Sequence, residues 1–328
     1  MSSTLSENTA LEADQTAGSA VKYSICICNY NMADTIEESL TSVLEQLDER
    51  FEVVVVDDAS TDKSVEILEK LARTYPALRL ICLKRDWNRL LGETRNISIR
   101  EARGEYVILH IDTDDVWEPF IKEIVEVLHR VGACYDRDVY IQARQFGFAK
   151  RAFLLSHGPY RNTFVEDRDM WLRFADMDVY VHFDHRTVRR RMQPTTGRRI
   201  LKVFWTKNFN HLVYQMRIGP RLSPFLVLKC LTEVFWNWRS RQTKKRQIAR
   251  MSVVIPALMV SLTKPRLPLP EGITTPQDLV DYRDRTRGTY AQIMQRHGKS
   301  PDLSFLPAHA REVFDVPPFK PAGANGLS

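Results

Sequence analysis

The stretch Phe51-Glu-Val-Val-Val-Val-Asp-Asp-Ala-Ser-Thr-Asp62 decides the fold. Phe51–Val56 has the length of a strand and is almost uniformly apolar, as expected of a strand covered on both faces in a parallel sheet. It stops on Asp57 and Asp58, and Ser60-Thr-Asp62 then opens a helix carrying Val65, Ile67, Leu68 and Leu71. Upstream, Tyr23–Cys28 alternates as a strand, Asn29-Tyr-Asn31 turns, and a helix capped by Asp34 runs through Ile36, Leu40, Val43 and Leu44. Downstream, Leu78–Leu83 is a strand, Glu93–Ala102 a helix and Tyr106–Ile111 a strand that ends at Asp112. This strand–helix alternation predicts a mostly parallel α/β sheet flanked by helices. Ligands of such sheets bind beyond the carboxyl ends of the strands. The acids Asp57-Asp58 and Asp112-Thr-Asp114-Asp115 are therefore expected to open into one crevice.

The chain continues with a helix after Pro119, a strand over Val139–Ala143, a helix from Asp167 that buries Met170, Trp171 and Phe174, and a strand over Val179–Phe183. Carboxylates clustered at a strand end suit a hard cation such as Mg2+ or Mn2+, which takes oxygen ligands and often bridges substrate phosphates. An acidic turn or helix cap is the plain alternative for each cluster. No glycine-rich phosphate loop of the GxGxxG or GxxxxGK[ST] type is present, which argues against a dinucleotide-dependent oxidoreductase and a P-loop enzyme. Glu166 and Asp167 begin a helix, where the dipole favours ionised carboxylates.

The 328 residues carry a formal net charge of +6, distributed unequally. Residues 1–184 sum to −12, whereas residues 185–270 hold 19 Lys or Arg against the single acid Glu233. The five cysteines show no CxxC spacing and read as reduced thiols of a cytoplasmic protein. Met1–Ala20 is polar and acidic, without the apolar core of a signal peptide, and reads as a disordered tail.

Taken in order, these segments resemble the family 2 glycosyltransferases of GT-A fold. The likeness rests on Ser24–Asn31, Glu38–Gln46, Phe51–Asp62, Gly92–Ile99, Ala102–Tyr106, His110–Asp115 and Glu166–Arg173. It spans about Tyr23 to Met192. It implies a Rossmann-like sheet and an inverting transfer from a nucleotide-diphosphate sugar to an acceptor hydroxyl. Cys28, Tyr30, Asp57, Asp58, Arg95, Asp112 and Asp114 would then bind the donor. Asp114 and Asp115 would hold Mn2+ or Mg2+, and Asp167 would be the base with Glu166 second. No Q-x-x-R-W follows the Glu166-Asp167 pair, which argues against a processive polysaccharide synthase. His182 and His185 could approach the metal, or be structural.

The expected organisation is a tail (1–20), a GT-A catalytic domain (21–192) and a basic, mainly helical C-terminal region (193–328) with a Pro-rich hinge over Pro265–Pro276. Residues 185–270 include Arg189–Arg191, Lys244–Arg246, Trp205, Trp236 and Trp238. This mixture suits peripheral contact with an anionic membrane at the cytoplasmic face, and no nucleic-acid partner is expected. A solvated helical appendage is the alternative. The acceptor implied is a lipid-linked or envelope glycan. A catalytically inactive GT-A-like binding module and a nucleotidyltransferase are the competing functions.

Overall fold

The computed structural model describes residues 21–192, 197–218, 241–268, 272 and 276–319. The expected tail, the stretch Phe225–Trp238 and Cys230 lie outside them. The first half alternates β1 (Tyr23–Asn29), α1 (Ile36–Leu44), β2 (Phe51–Asp57), α2 (Ser64–Thr74), β3 (Leu78–Cys82), α3 (Leu91–Glu101) and β4 (Tyr106–Leu109). There follow β5 (Asp115–Trp117), α4 (Ile121–Gly132), β6 (Tyr140–Ala143), β7 (Phe146–Lys150), α5 (Arg151–His157), α6 (Glu166–Asp176), β8 (Tyr180–Asp184) and β9 (Arg189–Arg191). The remainder comprises α7 (Gly197–Ile218), α8 (Arg241–Thr263), α9 (Pro276–Thr286), β10 (Gly288–Thr289), α10 (Tyr290–Arg296) and α11 (Ala308–Arg311).

The main sheet has the order β10-β8-β6-β7-β4-β1-β2-β3. Every pair is parallel except those of β7, which runs antiparallel to β4 and β6. The expected mostly parallel α/β sheet is thus present. On β1, Tyr23, Ile25 and Ile27 enter one core with α1, α2, α4 and α10, while Cys26 enters the other with α3, α5, α6 and α9. The two-residue period of a strand divides its side chains between the faces, and both are closed by helices. Because β1 pairs with β4 on one side and β2 on the other, the chain reverses its direction of travel there. That reversal leaves a crevice at the carboxyl ends of β1 and β4.

Two departures from the sequence reading matter. The sheet and core extend past the expected boundary at 192: β10 pairs with β8, and Tyr290, Ile293, Met294, Val313 and Phe314 join the first core. The C-terminal region, expected to be mainly helical, also supplies a strand: α9 and α10 are separated where Gly288–Thr289 adds the sheet edge, and Thr289 and Gln292 then form a capping box that restarts the helix. In addition, β5 and β9 form a separate antiparallel ribbon pairing Asp115 with Arg191 and Trp117 with Arg189. Three arginines in a row carry no strand signature, and only the long-range pairing orders them.

Candidate active site

The carboxyl ends of three central strands share a backbone feature. Asn31, Ala59 and His110, just beyond β1, β2 and β4, have φ of 53°, 59° and 67°. Non-glycine residues rarely adopt this left-handed region, and they concentrate where a fold is shaped for function. Side chains hold these turns. Asp57 accepts from Asn29 Nδ2 at 2.8 Å, from Ser60 N at 2.8 Å and from Ser60 Oγ at 2.6 Å. Thr35 and Ser39, at the start of α1, donate to the carbonyls of Thr113 (2.9 Å) and Asp115 (2.7 Å), fixing the acidic loop after β4.

Asp58 stands beside Asp57 but is partly exposed. Its carboxylate accepts from Arg89 Nε at 2.9 Å and from Thr94 Oγ1 at 3.3 Å. Cys28 lies at the end of β1, its thiol pushed up to about 12 by burial and therefore neutral. Tyr30 is 45% exposed, and the Arg85 guanidinium lies 5.0 Å from its ring and 4.3 Å from that of the solvent-facing Trp87.

A second group forms where α3 meets α6. Gly92 permits the approach: a Cβ there would sit 2.7 Å from the Arg161 carbonyl oxygen and 3.0 Å from Glu166 Cβ. Arg95 Nε consequently lies 3.5 Å from Glu166 Oε1 and 3.7 Å from Asp167 Oδ1. His110 Nε2 is 3.1 Å from the same Asp167 oxygen and 3.0 Å from Tyr160 Oη. Burial alone would raise the Asp167 pKa, but the charges of His110 and Arg95 outweigh it and hold the carboxyl well below its ordinary range. Glu166 moves the other way, raised by burial and by the charge of Asp167. Asp167 is 33% exposed and Glu166 10%, so Asp167 is the carboxylate a ligand can reach. Asp169, by contrast, is a structural anion paired with Arg161 and Arg173 and accepting from Tyr214 Oη at 3.0 Å, which ties α6 to α7.

The third group is Asp112, Asp114 and Asp115, whose ligand oxygens all lie within 4.8 Å of one another. Arginines of β9 reach this triad. Arg189 ion-pairs with the fully buried Asp115. Arg191 Nη2 lies 3.0 Å from Asp112 and 3.5 Å from Asp114, and its Nε 3.2 Å from Asp115. The two ends of the Arg189–Arg191 cluster, expected at a membrane, are instead counter-ions of the triad.

Asp167 also lines a cleft of about 610 Å³ between α6, β8, α7 and α9. A larger cleft, about 860 Å³, opens beside Lys22, Tyr106 and Lys150, at the opposite end of β1 and β4 from these carboxylates. Both clefts carry charged side chains, but the first is bordered by Glu166 and Asp167, which Arg95 and His110 hold beyond the carboxyl ends of the strands, and that decides between them.

The family model "Glycosyl transferase family 2" matches residues 24–184, which hold all three groups. Residues 24–184 form a family 2 glycosyltransferase domain. The chain is 34% identical over 94 residues to the UDP-Glc:alpha-D-GlcNAc-diphosphoundecaprenol beta-1,3-glucosyltransferase of Escherichia coli, covering 29% of this chain and 36% of that protein. It is 35% identical over 104 residues to a cholesterol galactosyltransferase of Borreliella burgdorferi, covering 32% of this chain and 28% of that one. The chain thus spans about a third of the length of these curated relatives. Among solved structures, the mannosyltransferase of Pyrobaculum calidifontis in complex with GDP-Man and Mn2+ aligns with a TM-score of 0.48 at 18% identity, covering 74% of this chain and 79% of that one.

Within the glycosyltransferase domain, Cys28, Tyr30 and Asp58 lie at the ends of β1 and β2, and Arg95, Glu166 and Asp167 form one cluster. Asp57 differs from expectation: its carboxylate bonds within the β1–β2 turns, so it shapes the site from behind. The spacing of the triad suits one hard cation. Asp115, buried and held by Arg189, is the least accessible of the three, leaving Asp112 and Asp114 as the carboxylates an ion meets first. His185 is fully buried with Nδ1 on the Arg186 carbonyl, a structural position, whereas His182 lines the 610 Å³ cleft. Arg189, Arg191 and His110 were not legible as site residues. The nearest signal was an unbalanced run of cations downstream of an unbalanced run of acids.

Proposed function

We propose that the protein is an inverting glycosyltransferase that uses a nucleotide-diphosphate sugar, with Asp167 as the base that activates an acceptor hydroxyl. The observation that carries this reading is the accessible, ionised Asp167 at the edge of a cleft, with Arg95 and His110 against the same oxygen. Asp58 and Tyr30 would hold the nucleoside portion, and Thr94 and Arg89 orient Asp58. Asp167 would take the hydroxyl proton as that oxygen attacks the anomeric carbon opposite the diphosphate. His110 and Arg95 fix the carboxylate's direction. A divalent cation held by Asp112 and Asp114 would supply charge neutralisation for the departing diphosphate.

Incubating the protein with Mn2+ and a panel of nucleotide sugars should release nucleoside diphosphate with one of them. Asp167→Asn should keep donor binding and lower transfer by about 10²–10⁴-fold. Absence of release with every donor, together with absence of metal-dependent nucleotide binding, would leave only a binding module; unchanged transfer in the variant would remove Asp167 from its role.

The acceptor is proposed to be lipid-linked or an envelope glycan, reached by peripheral contact with an anionic membrane. Support comes from α8, where Ile255 (73% exposed), Met259 (62%) and Leu262 (46%) follow i, i+4, i+7 and share one helix face. The same helix includes Lys244–Arg246 in its sequence. No helix among the described residues is long and apolar enough to cross a membrane. Co-sedimentation with phosphatidylglycerol vesicles should weaken with salt and in Ile255→Ser/Met259→Ser. Equal sedimentation of wild type and variant would refute the α8 face.

A further inference from the structure

The cleft beside Asp167 is richer in cations than deprotonating a neutral hydroxyl requires. Phe164, Trp171 and Leu279 give it an apolar wall, and Arg144, Arg283 and His182 line it as well. Arg144 occupies the tight turn between β6 and β7 with φ of 27°, an exposed arginine in the left-handed region. It donates to Thr187 Oγ1 at 3.3 Å, and no carboxylate lies within ion-pair distance of it among the described residues. Arg283 pairs only with its sequence neighbour Asp284 in the described ion pairs, at 3.1 Å. The nearby anion Asp184 is already held by Arg287 through contacts of 2.6 and 3.0 Å. His182 senses the result: burial foremost, then the charges of Arg287, Arg283 and Arg144, bring its pKa down to about 4 against the opposing pull of Asp184. The imidazole is therefore a neutral hydrogen-bonding group amid convergent guanidiniums.

We propose that this cleft binds an acceptor carrying a phosphate group, with Arg144 and Arg283 on the phosphoryl oxygens and the Phe164–Trp171–Leu279 wall against its apolar or sugar-ring part. Planar guanidinium forks match phosphate oxygens in geometry. A phosphate near two charges balances two cations, where a carboxylate balances one. The assignment rests on the reading of Asp167 as the acceptor's base, because it sets the phosphate in the cleft that Asp167 borders.

The test is calorimetric titration of the full chain, without donor and with EDTA, using octyl phosphate, glycerol 3-phosphate and octanol as probes. Octyl phosphate should bind, with Arg144→Gln and Arg283→Gln each weakening it about tenfold or more, and Arg144→Lys restoring part of the loss. Octanol should bind far more weakly, and a nucleoside diphosphate should not displace octyl phosphate. Tighter binding of octyl phosphate than of glycerol 3-phosphate assigns a lipid phosphate; equal binding assigns a soluble phosphate ester. Arginine variants that bind as wild type does, octanol binding as tightly as octyl phosphate, or displacement by the nucleoside diphosphate would each overturn the proposal. Asp167→Asn should retain phosphate binding while losing transfer, so failure of one assignment is read separately from failure of the other.

Discussion

Replacing Arg191 by alanine should tighten the binding of Mn2+ to the protein in the absence of nucleotide. Arg191 lies 3.0, 3.5 and 3.2 Å from Asp112, Asp114 and Asp115, the same carboxylates whose mutual spacing suits a metal. A cation entering that triad must therefore displace the guanidinium or share oxygens with it. Arg191 is about half exposed, so each contact falls in the range of solvent-screened ion pairs, roughly 0.5 kcal/mol apiece. Three such contacts amount to about 1.5 kcal/mol, which is about tenfold in affinity. Arg189 does not compete in the same way, because it is committed to the fully buried Asp115. Titration of Mn2+ followed by its electron paramagnetic resonance signal reads the effect without any turnover. Arg191→Ala should lower the Kd about tenfold, Arg191→Lys less. The metal-free variant should also melt at a lower temperature than wild type and gain more on adding Mn2+, since its carboxylates then repel one another unrelieved. An unchanged or weakened Mn2+ affinity in Arg191→Ala would refute the competition.

Two predictions concern protonation. Arg95→Ala removes a cation from the Asp167 neighbourhood, so the carboxyl pKa should rise by about one unit or more. Asp167 would then lose its charge at a higher pH as the solution is acidified, and the acid limb of the transfer profile should shift upward; a limb that stays in place would detach Arg95 from the base. His185, fully buried, has its pKa pushed down to about 4 by burial, below the ordinary value near 6.5. Between those values the unfolded chain binds the proton that the folded one refuses, so stability is retained above about pH 6.5 and lost as pH falls toward 4. The loss by pH 5 is about 2 kcal/mol for this residue. Urea unfolding should show a smaller decline from pH 7 to pH 5 in His185→Gln than in wild type, and equal declines would contradict the linkage.

Much of the first half was legible because its signals are local. Phe51–Val56 is apolar at every position but Glu52 and lies buried on both faces. Glu166 and Asp167 begin α6 within a residue of the expected start. The second half was read less well for a physical reason: β10 is two residues long, and β7 is a strand only through its pairing with β4 and β6. The partner of β10 lies about a hundred residues upstream, and β7 joins the sheet's centre through β4, about forty residues upstream, so no short window of sequence contains both strands of either pair.

The sequence alone determined the alternation of strands and helices, the three acidic clusters and their order, because periodicity and strand-end position are properties of contiguous residues. It could not apportion the carboxylates. Asp57 and Asp58 are identical neighbours, yet one closes a turn with Asn29 and Ser60 while the other, partly exposed beyond the end of β2, meets Arg89. Asp112, Asp114 and Asp115 form one run, and their unequal accessibility follows from β9 returning 76 residues later to lay Arg191 beside them. The roles of like charges are set by which partners the fold brings within a few ångströms, since burial and ion pairing act through space and not along the chain. Only the tertiary structure decided those distances.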